Sequence, residues 1–212
     1  ICVEYPNGLI VESTYDTSNR PVGICTADLV NVSLTYDTRG NVTETVDGNG
    51  HSVAYTYDAN GMLSGISDEI GTIQNTIYGE DGQPLSVINA AGATFLYTYD
   101  EDGLCTAVQV KSPDGQTTYT YTYTYDERQY LSSMTDTLGN VYTFENDLNG
   151  NIVSRTDALG NRIGYTYDIQ SNLVQILYPD GTKEAFTYDA EGNVTASTNR
   201  LGQTVTMEYD KL

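Results

Sequence analysis

The segment VAYTYDANGMLSGISDEIG, residues 53–71, contains one complete unit of the pattern that decides the fold. Val53, Tyr55 and Tyr57 occupy every second position, which is typical of a β-strand with one apolar face and one solvated face. The next four residues, Asp58-Ala59-Asn60-Gly61, predict a tight turn. Asp can accept a backbone N–H two residues on, and Gly tolerates the positive φ that closes a hairpin.

A second strand and a second turn follow in the same unit. Leu63 and Ile66 are three positions apart, and this spacing predicts a strand that contains a bulge or a twist. The strand ends at Asp68-Glu69-Ile70-Gly71, which again has the composition of a turn. One unit therefore consists of two strands and two turns.

The Tyr-Asp mark of this unit recurs along nearly the whole chain. Its spacing is 21 residues four times, then 26 residues once, then 21 residues four times. Such a period indicates a tandem repeat array and not a globule with a single site. The marks are Tyr15-Asp16, Tyr36-Asp37, Tyr57-Asp58, Tyr78-Gly79, Tyr99-Asp100, Tyr125-Asp126, Asn146-Asp147, Tyr167-Asp168, Tyr188-Asp189 and Tyr209-Asp210.

The pattern predicts an all-β fold of tandem antiparallel β-hairpins. β-Branched residues, Tyr and Gly are frequent, and no stretch has sustained helical periodicity. Two strands per unit give roughly 20 strands, and a sheet of that size twists, so we expect a long curved or spiralling sheet. We interpret residues 1–212 as a single array within a larger protein. The five extra residues of one unit predict a longer, projecting hairpin at about 105–125.

Charge and composition exclude several classes of function. The chain has 29 acidic and 9 basic side chains, a net charge of −20, which argues against nucleic-acid partners because phosphate-binding surfaces need clustered Lys and Arg. No apolar run is long enough for membrane insertion. The single histidine, His51, follows a turn glycine, and the three cysteines have unrelated spacings. We therefore predict no catalytic residue, no cofactor and no built metal site.

The repeat resembles the YD repeats of the Rhs family, which includes bacterial polymorphic toxins, toxin-complex C components, wall-associated proteins and teneurins. The resemblance rests on Tyr57 to Leu63, on the turn from Asp68 to Gly71, and on Tyr165-Thr166-Tyr167-Asp168. It implies a spiralling β-hairpin shell that, in the bacterial members, encloses a C-terminal toxin of the same polypeptide. Tyr78-Gly79, Asn146-Asp147 and Ser171 depart from the pattern, and we expect local irregularity there.

Two functions remain open. The first is a non-catalytic wall segment of a secreted or cell-surface protein, with flanking repeats and an enclosed C-terminal domain as partners. The second is an extracellular adhesion or carbohydrate-binding repeat, since aromatic rings can stack on sugars and Tyr119, Tyr121 and Tyr123 are candidates to face such a ligand. The 19 tyrosines also fit aromatic ladders that stabilise a long sheet.

Overall fold

The computed structural model describes residues 2–5, 10–26 and 31–210. The all-β prediction is confirmed, because these residues form 20 strands of one sheet and contain no helix. The strands are β1 Cys2–Glu4, β2 Ile10–Tyr15, β3 Pro21–Thr26, β4 Asn31–Tyr36, β5 Val42–Val46, β6 Ser52–Tyr57, β7 Leu63–Asp68, β8 Thr72–Tyr78, β9 Pro84–Asn89, β10 Thr94–Tyr99, β11 Cys105–Lys111, β12 Thr118–Tyr125, β13 Leu131–Thr135, β14 Val141–Asn146, β15 Ile152–Thr156, β16 Arg162–Tyr167, β17 Leu173–Leu177, β18 Lys183–Tyr188, β19 Val194–Thr198 and β20 Thr204–Thr206.

The contacts divide the chain into two compact units. Unit 1 comprises residues 1–97 and 109–118, and unit 2 comprises residues 98–108 and 119–212. Within each unit, strands that follow one another in sequence pair antiparallel, such as β4 with β5 and β5 with β6, or β16 with β17 and β17 with β18. The turns that follow the Tyr-Asp marks, here called Tyr-Asp turns, therefore lie at one edge of each set of strands. The second turns lie at the opposite edge.

The predicted bulge lies directly after the Tyr-Asp turn that begins at Asp58. Tyr57 pairs with Leu63 and Thr56 pairs with Gly65, so Ser64 has no opposite residue. This extra residue places Leu63 and Ile66 on the same face as the tyrosines, although they are three positions apart. Equivalent register shifts occur beside Tyr15, Tyr36, Tyr78, Tyr125, Asn146, Tyr167 and Tyr188.

The strands carry different side chains on their two faces. On the tyrosine face, Tyr55 lies opposite Ile66 and Tyr57 lies opposite Leu63. On the threonine face, hydroxyl groups contact one another across the bulge, as between Thr187 and the unpaired Thr195 at 2.8 Å. No large apolar side chain is fully buried among the residues that the structure describes. Stability therefore depends on cross-strand side-chain pairs and on hydrogen bonds more than on a closed core.

The Tyr-Asp turns have the hydrogen-bond pattern of three-residue hairpin loops. The Gly61 amide donates to the Asp58 carbonyl at 3.1 Å, and the Asp58 amide donates to the Met62 carbonyl at 2.9 Å. Gly61 has a φ of 85°, which confirms that the turn glycine adopts the left-handed region. Three turns keep this conformation without glycine, at Asn19, Gln129 and Ser171, with φ of 60°, 66° and 65°.

Two parts of the sequence prediction need separate mention. The turns predicted at Tyr5 to Gly8 and at Thr26 to Leu29 lie largely outside the described residues. In the longer hairpin, the Ser112 amide donates to the Thr117 carbonyl at 2.9 Å. Pro113 in this turn lies 3.2 Å from the position that a Cβ at Gly92 would take. The longer hairpin therefore reaches the second turn that ends at Gly92. Its projection beyond the other hairpins stays a prediction.

Candidate functional site

Each turn aspartate holds its own turn closed. One carboxylate oxygen of Asp58 accepts the amides of Asn60 and Met62, both at 2.9 Å. These bonds satisfy backbone donors that the hairpin loop leaves without strand partners. The same pair of bonds, to the residues two and four positions on, is made by Asp16, Asp37, Asp47, Asp100, Asp126, Asp136, Asp147, Asp157, Asp168 and Asp189.

An asparagine four residues after the aspartate completes many of these turns, and the sequence analysis did not identify it. The Asn172 side-chain amide donates to the second carboxylate oxygen of Asp168 at 3.0 Å. Together with the Asn172 backbone amide, this bond holds the pKa of the Asp168 carboxyl below its ordinary value. The signal was visible as asparagine directly after the turn glycine or its substitute. The residues that donate in this way are Asn41, Asn140, Asn151, Asn161, Asn172 and Asn193.

The tyrosine of the mark links each hairpin to the preceding one. The Tyr57 hydroxyl donates to the carbonyl of Val42, 15 residues earlier, at 2.8 Å. Val42 is the residue that pairs with the previous marked tyrosine, Tyr36. Burial of the ring is the largest cause that raises the pKa of Tyr57. The equivalent bonds run from Tyr36 to Pro21, Tyr78 to Leu63, Tyr167 to Ile152, Tyr188 to Leu173 and Tyr209 to Val194.

Tyr125 and Asn146, the two irregular positions of unit 2, also bond to a carbonyl of the preceding hairpin, but in different ways. Tyr125 follows the five extra residues, and its hydroxyl donates to the Cys105 carbonyl, 20 residues earlier, at 2.7 Å. Asn146 replaces the tyrosine, yet its side-chain amide donates to the Leu131 carbonyl at 2.9 Å. The irregularity that we expected at Asn146 is therefore absent from the hydrogen-bond pattern, because an amide N–H can take the place of the phenol O–H.

Arginines in the Tyr-Asp turns provide a further connection between neighbouring hairpins. Arg39 donates to the Ala59 carbonyl at 2.9 Å, and Arg128 donates to the Asp147 carbonyl at 2.8 Å. Arg128 also lies over the Tyr130 ring, 5.1 Å from its centroid. Much of the small complement of basic side chains is thus used inside the array. The chain as a whole has a net charge of −20.

The candidate ligand-facing tyrosines do not share one site. Tyr119 and Tyr121 line a cleft of about 230 Å³ with Asp136, Thr137 and Leu138. The Asp136 carboxylate is occupied by its own turn, and the Thr137 hydroxyl bonds to the backbone of the adjacent strand. The Tyr119 and Tyr121 hydroxyls have no hydrogen-bond partner among the described residues, and Tyr119 is 51% exposed.

Tyr123 lines a different hollow on the same strand. This hollow measures about 280 Å³ and is also lined by Cys105, Val108, Tyr125 and Leu131. Tyr123 is half-buried there, and the side chains around it are mostly apolar. Tyr119 and Tyr121 therefore line one cleft, and Tyr123 lines another.

Two family models of repeat proteins match this chain. A family model described as the teneurin YD-shell matches residues 2–119. The chain belongs to the YD-shell family. A model of the RHS repeat also matches residues 147–183 and 188–212 of this YD-shell chain. A comparison with curated proteins finds no match.

Solved toxin-complex structures share the fold of this YD-shell chain. The structure of the Photorhabdus luminescens Tc holotoxin pore with the TccC3-D651A mutation is 14% identical, covers 94% of this chain and has a TM-score of 0.67. The crystal structure of TcdB2-TccC3-TEV is 14% identical, covers 92% and has a TM-score of 0.65. The YD-shell chain spans 12% of the length of each of these two solved chains.

Other groups in the YD-shell chain have local structural partners. His51 is exposed, and its Nδ1 lies 3.4 Å from a carboxylate oxygen of Asp47 in the same turn.

Across residues 2–5, 10–26 and 31–210, no three His, Cys, Asp or Glu side chains are grouped as metal ligands. The same residues include no helix long and apolar enough to span a membrane. Cys2, Cys25 and Cys105 are free thiols.

Proposed function

We propose that this chain is a non-catalytic wall segment of a secreted or cell-surface YD-shell protein, and that the shell encloses a C-terminal toxin or effector domain of the same polypeptide. The observation that carries the proposal is the hydrogen bond from the hydroxyl of a Tyr-Asp tyrosine to a backbone carbonyl of the preceding hairpin. This bond is repeated from hairpin to hairpin in both compact units. A wall needs such uniform connection along its length, whereas a catalytic site needs convergence of different groups at one point.

The side-chain chemistry supports a structural role for the marked residues. The aspartates are occupied by backbone amides, and the tyrosine hydroxyls are occupied by carbonyls of the preceding hairpin. The partners of this segment are then its flanking repeats and the enclosed domain. The ribbon would wind into a curved or spiralling wall, because long twisted sheets do not stay flat. The fold shared with the Tc toxin structures supports the same assignment.

Limited proteolysis of the full-length parent protein tests enclosure. We expect the C-terminal domain to resist protease while the repeats are folded, and to be cleaved once mild denaturant opens the shell. The matched control is the C-terminal domain produced alone, which should be cleaved without denaturant. Rapid cleavage of that domain in the native parent, with the repeats intact, would contradict enclosure.

A second candidate function is adhesion through glycan binding, and the cleft between Tyr119, Tyr121 and Leu138 favours it. Its two phenol hydroxyls without partners among the described residues could bond to a sugar whose apolar face lies on the rings. Replacing Tyr119 and Tyr121 by Ser should abolish glycan-array binding without loss of folding. Tyr123→Ser is the matched control on the same strand. Absence of glycan binding by the native protein would eliminate this candidate.

A further inference from the structure

One hairpin of unit 1 has an apolar pair where other hairpins have hydroxyl groups. In those hairpins, the residue before the marked tyrosine contacts the unpaired bulge residue eight positions on, as Thr187 contacts Thr195. The equivalent residues of β8 and β9 are Ile77, which is 59% exposed, and Leu85, which is 43% exposed. The other hydroxyl contacts of this kind join Thr35 to Thr43, Thr56 to Ser64 and Thr124 to Ser132. The repeat itself therefore does not require these two apolar side chains.

Two further apolar side chains extend this pair into a patch on the threonine face of unit 1. Ser86 pairs with Ile77 on one side and with Leu96 on the other, so these residues lie in a row across β8, β9 and β10. Ile88 is two positions after Ser86 on β9 and shares its face. Ile77 and Leu96 are two strands apart, which is about 10 Å. We call Ile77, Leu85, Ile88 and Leu96 the apolar patch, and Ser86 lies between them.

Two carboxylates lie in the turn beside the apolar patch. Glu80 and Asp81, three and four residues after Ile77, are exposed. Neither carboxylate has a hydrogen-bond or ion-pair partner among the residues that the structure describes. Residues 40–97 contain seven acidic side chains and no Lys or Arg, and Lys111 is the only Lys or Arg of unit 1 beyond residue 39. The turn can therefore offer both carboxylates to a basic side chain of a partner.

The combination of apolar and acidic groups restricts what can cover the patch. A second copy is disfavoured, because two chains that each have a net charge of −20 repel each other. Nucleic acid is disfavoured because it is also an anion. A patch about 10 Å across suits one large apolar side chain as an anchor, and charged groups at its rim select a partner of opposite charge. These features fit a basic peptide segment with a single apolar anchor.

We propose that the apolar patch binds an extended peptide segment of a separate protein. One aromatic or leucine side chain of the peptide lies over Ser86, and a Lys or Arg of the peptide binds Glu80 and Asp81. An extended peptide advances about 3.3 Å per residue, so a basic residue three or four positions from the anchor reaches the turn. This docking goes beyond the proposed wall and does not depend on enclosure of the C-terminal domain.

A peptide array probed with the full-length parent protein tests this docking. Each peptide has a Ser-Gly background, a central Trp, Leu or Ser, and Lys or Ser at each of the five positions on either side. We expect binding only where Trp or Leu has a Lys three or four positions away, and we expect salt to weaken it. Binding that is independent of the anchor or of the Lys would overturn the proposal, as would no binding to any peptide.

The apolar part of the site is tested by a variant that restores the common pattern. Ile77→Thr together with Leu85→Thr recreates the hydroxyl pair of the other hairpins, so the hairpin should fold. We expect this variant to weaken the best peptide by about tenfold or more. Leu159→Thr is the matched control, because Leu159 is an exposed leucine outside the patch, and it should bind as the native protein does. Native affinity in the Ile77 and Leu85 variant would overturn the proposal.

The acidic part of the site is tested without any change in the patch. Glu80→Gln together with Asp81→Asn keeps all four apolar side chains and should abolish the preference for Lys on the array. This variant also keeps the proposal testable if the threonine variant fails to fold. A Lys preference that survives the loss of both carboxylates would overturn the assignment of the basic residue to this turn.

Photocrosslinking in the parent protein alone tests the other occupants. A diazirine analogue of leucine at position 85 should give no crosslink to the C-terminal domain or to a second copy. A crosslink to the C-terminal domain would show that the enclosed domain covers the patch, and a crosslink between copies would show self-association. Either result would overturn docking of a separate protein. Limited proteolysis reports enclosure independently, so the two proposals can fail separately.

Discussion

The Tyr-Asp turn at Asp189 and the second turn at Asp157 have the same local structure but different connections. Each aspartate accepts the amides of the residues two and four positions on, and each carboxylate also binds an asparagine side chain. Only the first is preceded by a tyrosine, Tyr188, whose hydroxyl reaches the Leu173 carbonyl of the preceding hairpin at 2.7 Å. Turn closure is thus a local property shared by both edges, whereas the tyrosine link between hairpins belongs to one edge.

The largest effect should come from breaking that link. We expect Tyr188→Ala to lower the free energy of unfolding by about 3 kcal/mol, because it removes ring packing as well as the hydrogen bond. Tyr188→Phe is the matched control and should cost about 1 kcal/mol, since only the hydroxyl is lost. Denaturant unfolding measures both. A Phe variant as stable as the native protein would show that the hydroxyl bond contributes nothing.

A turn at the same edge can be broken without touching the tyrosine. Gly61→Val should cost about 2 kcal/mol, because a β-branched residue resists a φ of 85°. No atom lies within 4 Å of the added Cβ, so the cost comes from the backbone and not from a clash. Gly61→Asn should cost much less in the same unfolding assay, as Asn19 adopts this conformation in an equivalent turn. Equal losses for Val and Asn would contradict the backbone explanation.

Acid should weaken both kinds of turn. Hydrogen bonds from asparagine and from backbone amides lower the pKa of Asp157, Asp168 and Asp189 in the folded protein. Because the folded pKa lies below the unfolded one, their stabilisation is present above the ordinary value of 3.8 and is lost as pH falls through the lowered pKa. Unfolding midpoints measured from pH 6 to pH 2 should decrease at the acid end. Asp168→Asn should make that decrease shallower, and an unchanged acid slope would contradict this role.

The smallest effect should be a gain in stability. Gln129 adopts a φ of 66° in a Tyr-Asp turn, so Gln129→Gly should stabilise the protein by about 0.5 kcal/mol after the entropy of the unfolded chain is included. The reverse change at the equivalent open position, Gly192→Gln, should destabilise it by a similar amount. Thermal unfolding measures both variants. A shift of the same sign for the two would argue against a common turn conformation.

The sequence predicted the features that depend on nearby residues. The period of the Tyr-Asp mark, the turn role of Asp58 and Gly61, and the bulge between Leu63 and Ile66 all follow from local chemistry, and the structure confirms them. Alternation also places the tyrosines correctly on one face. It cannot identify the acceptor of the Tyr57 hydroxyl, because that carbonyl lies in another hairpin and its distance depends on register.

The remaining features depend on relations that the repeat pattern does not encode. Asn146 looks like a lost tyrosine in the sequence, whereas in the structure its amide makes the equivalent bond. Tyr119, Tyr121 and Tyr123 look equivalent by alternation, yet only the first two share a cleft, because the turn beginning at Asp136 forms its other wall. Cross-strand neighbours, and not spacing along one strand, decide these cases.

The hydroxyl of each Tyr-Asp tyrosine bonds backwards along the chain, and this direction has a consequence for biosynthesis. Every donor lies 15 residues after its acceptor in the regular units, so a hairpin leaving the ribosome meets a carbonyl that has already been made. Contacts of such short sequence separation form quickly, and each new hairpin can add to a completed one. The array can therefore grow from its N-terminal end one hairpin at a time during translation, because each new hairpin finds its hydrogen-bond acceptor on a hairpin that is already complete.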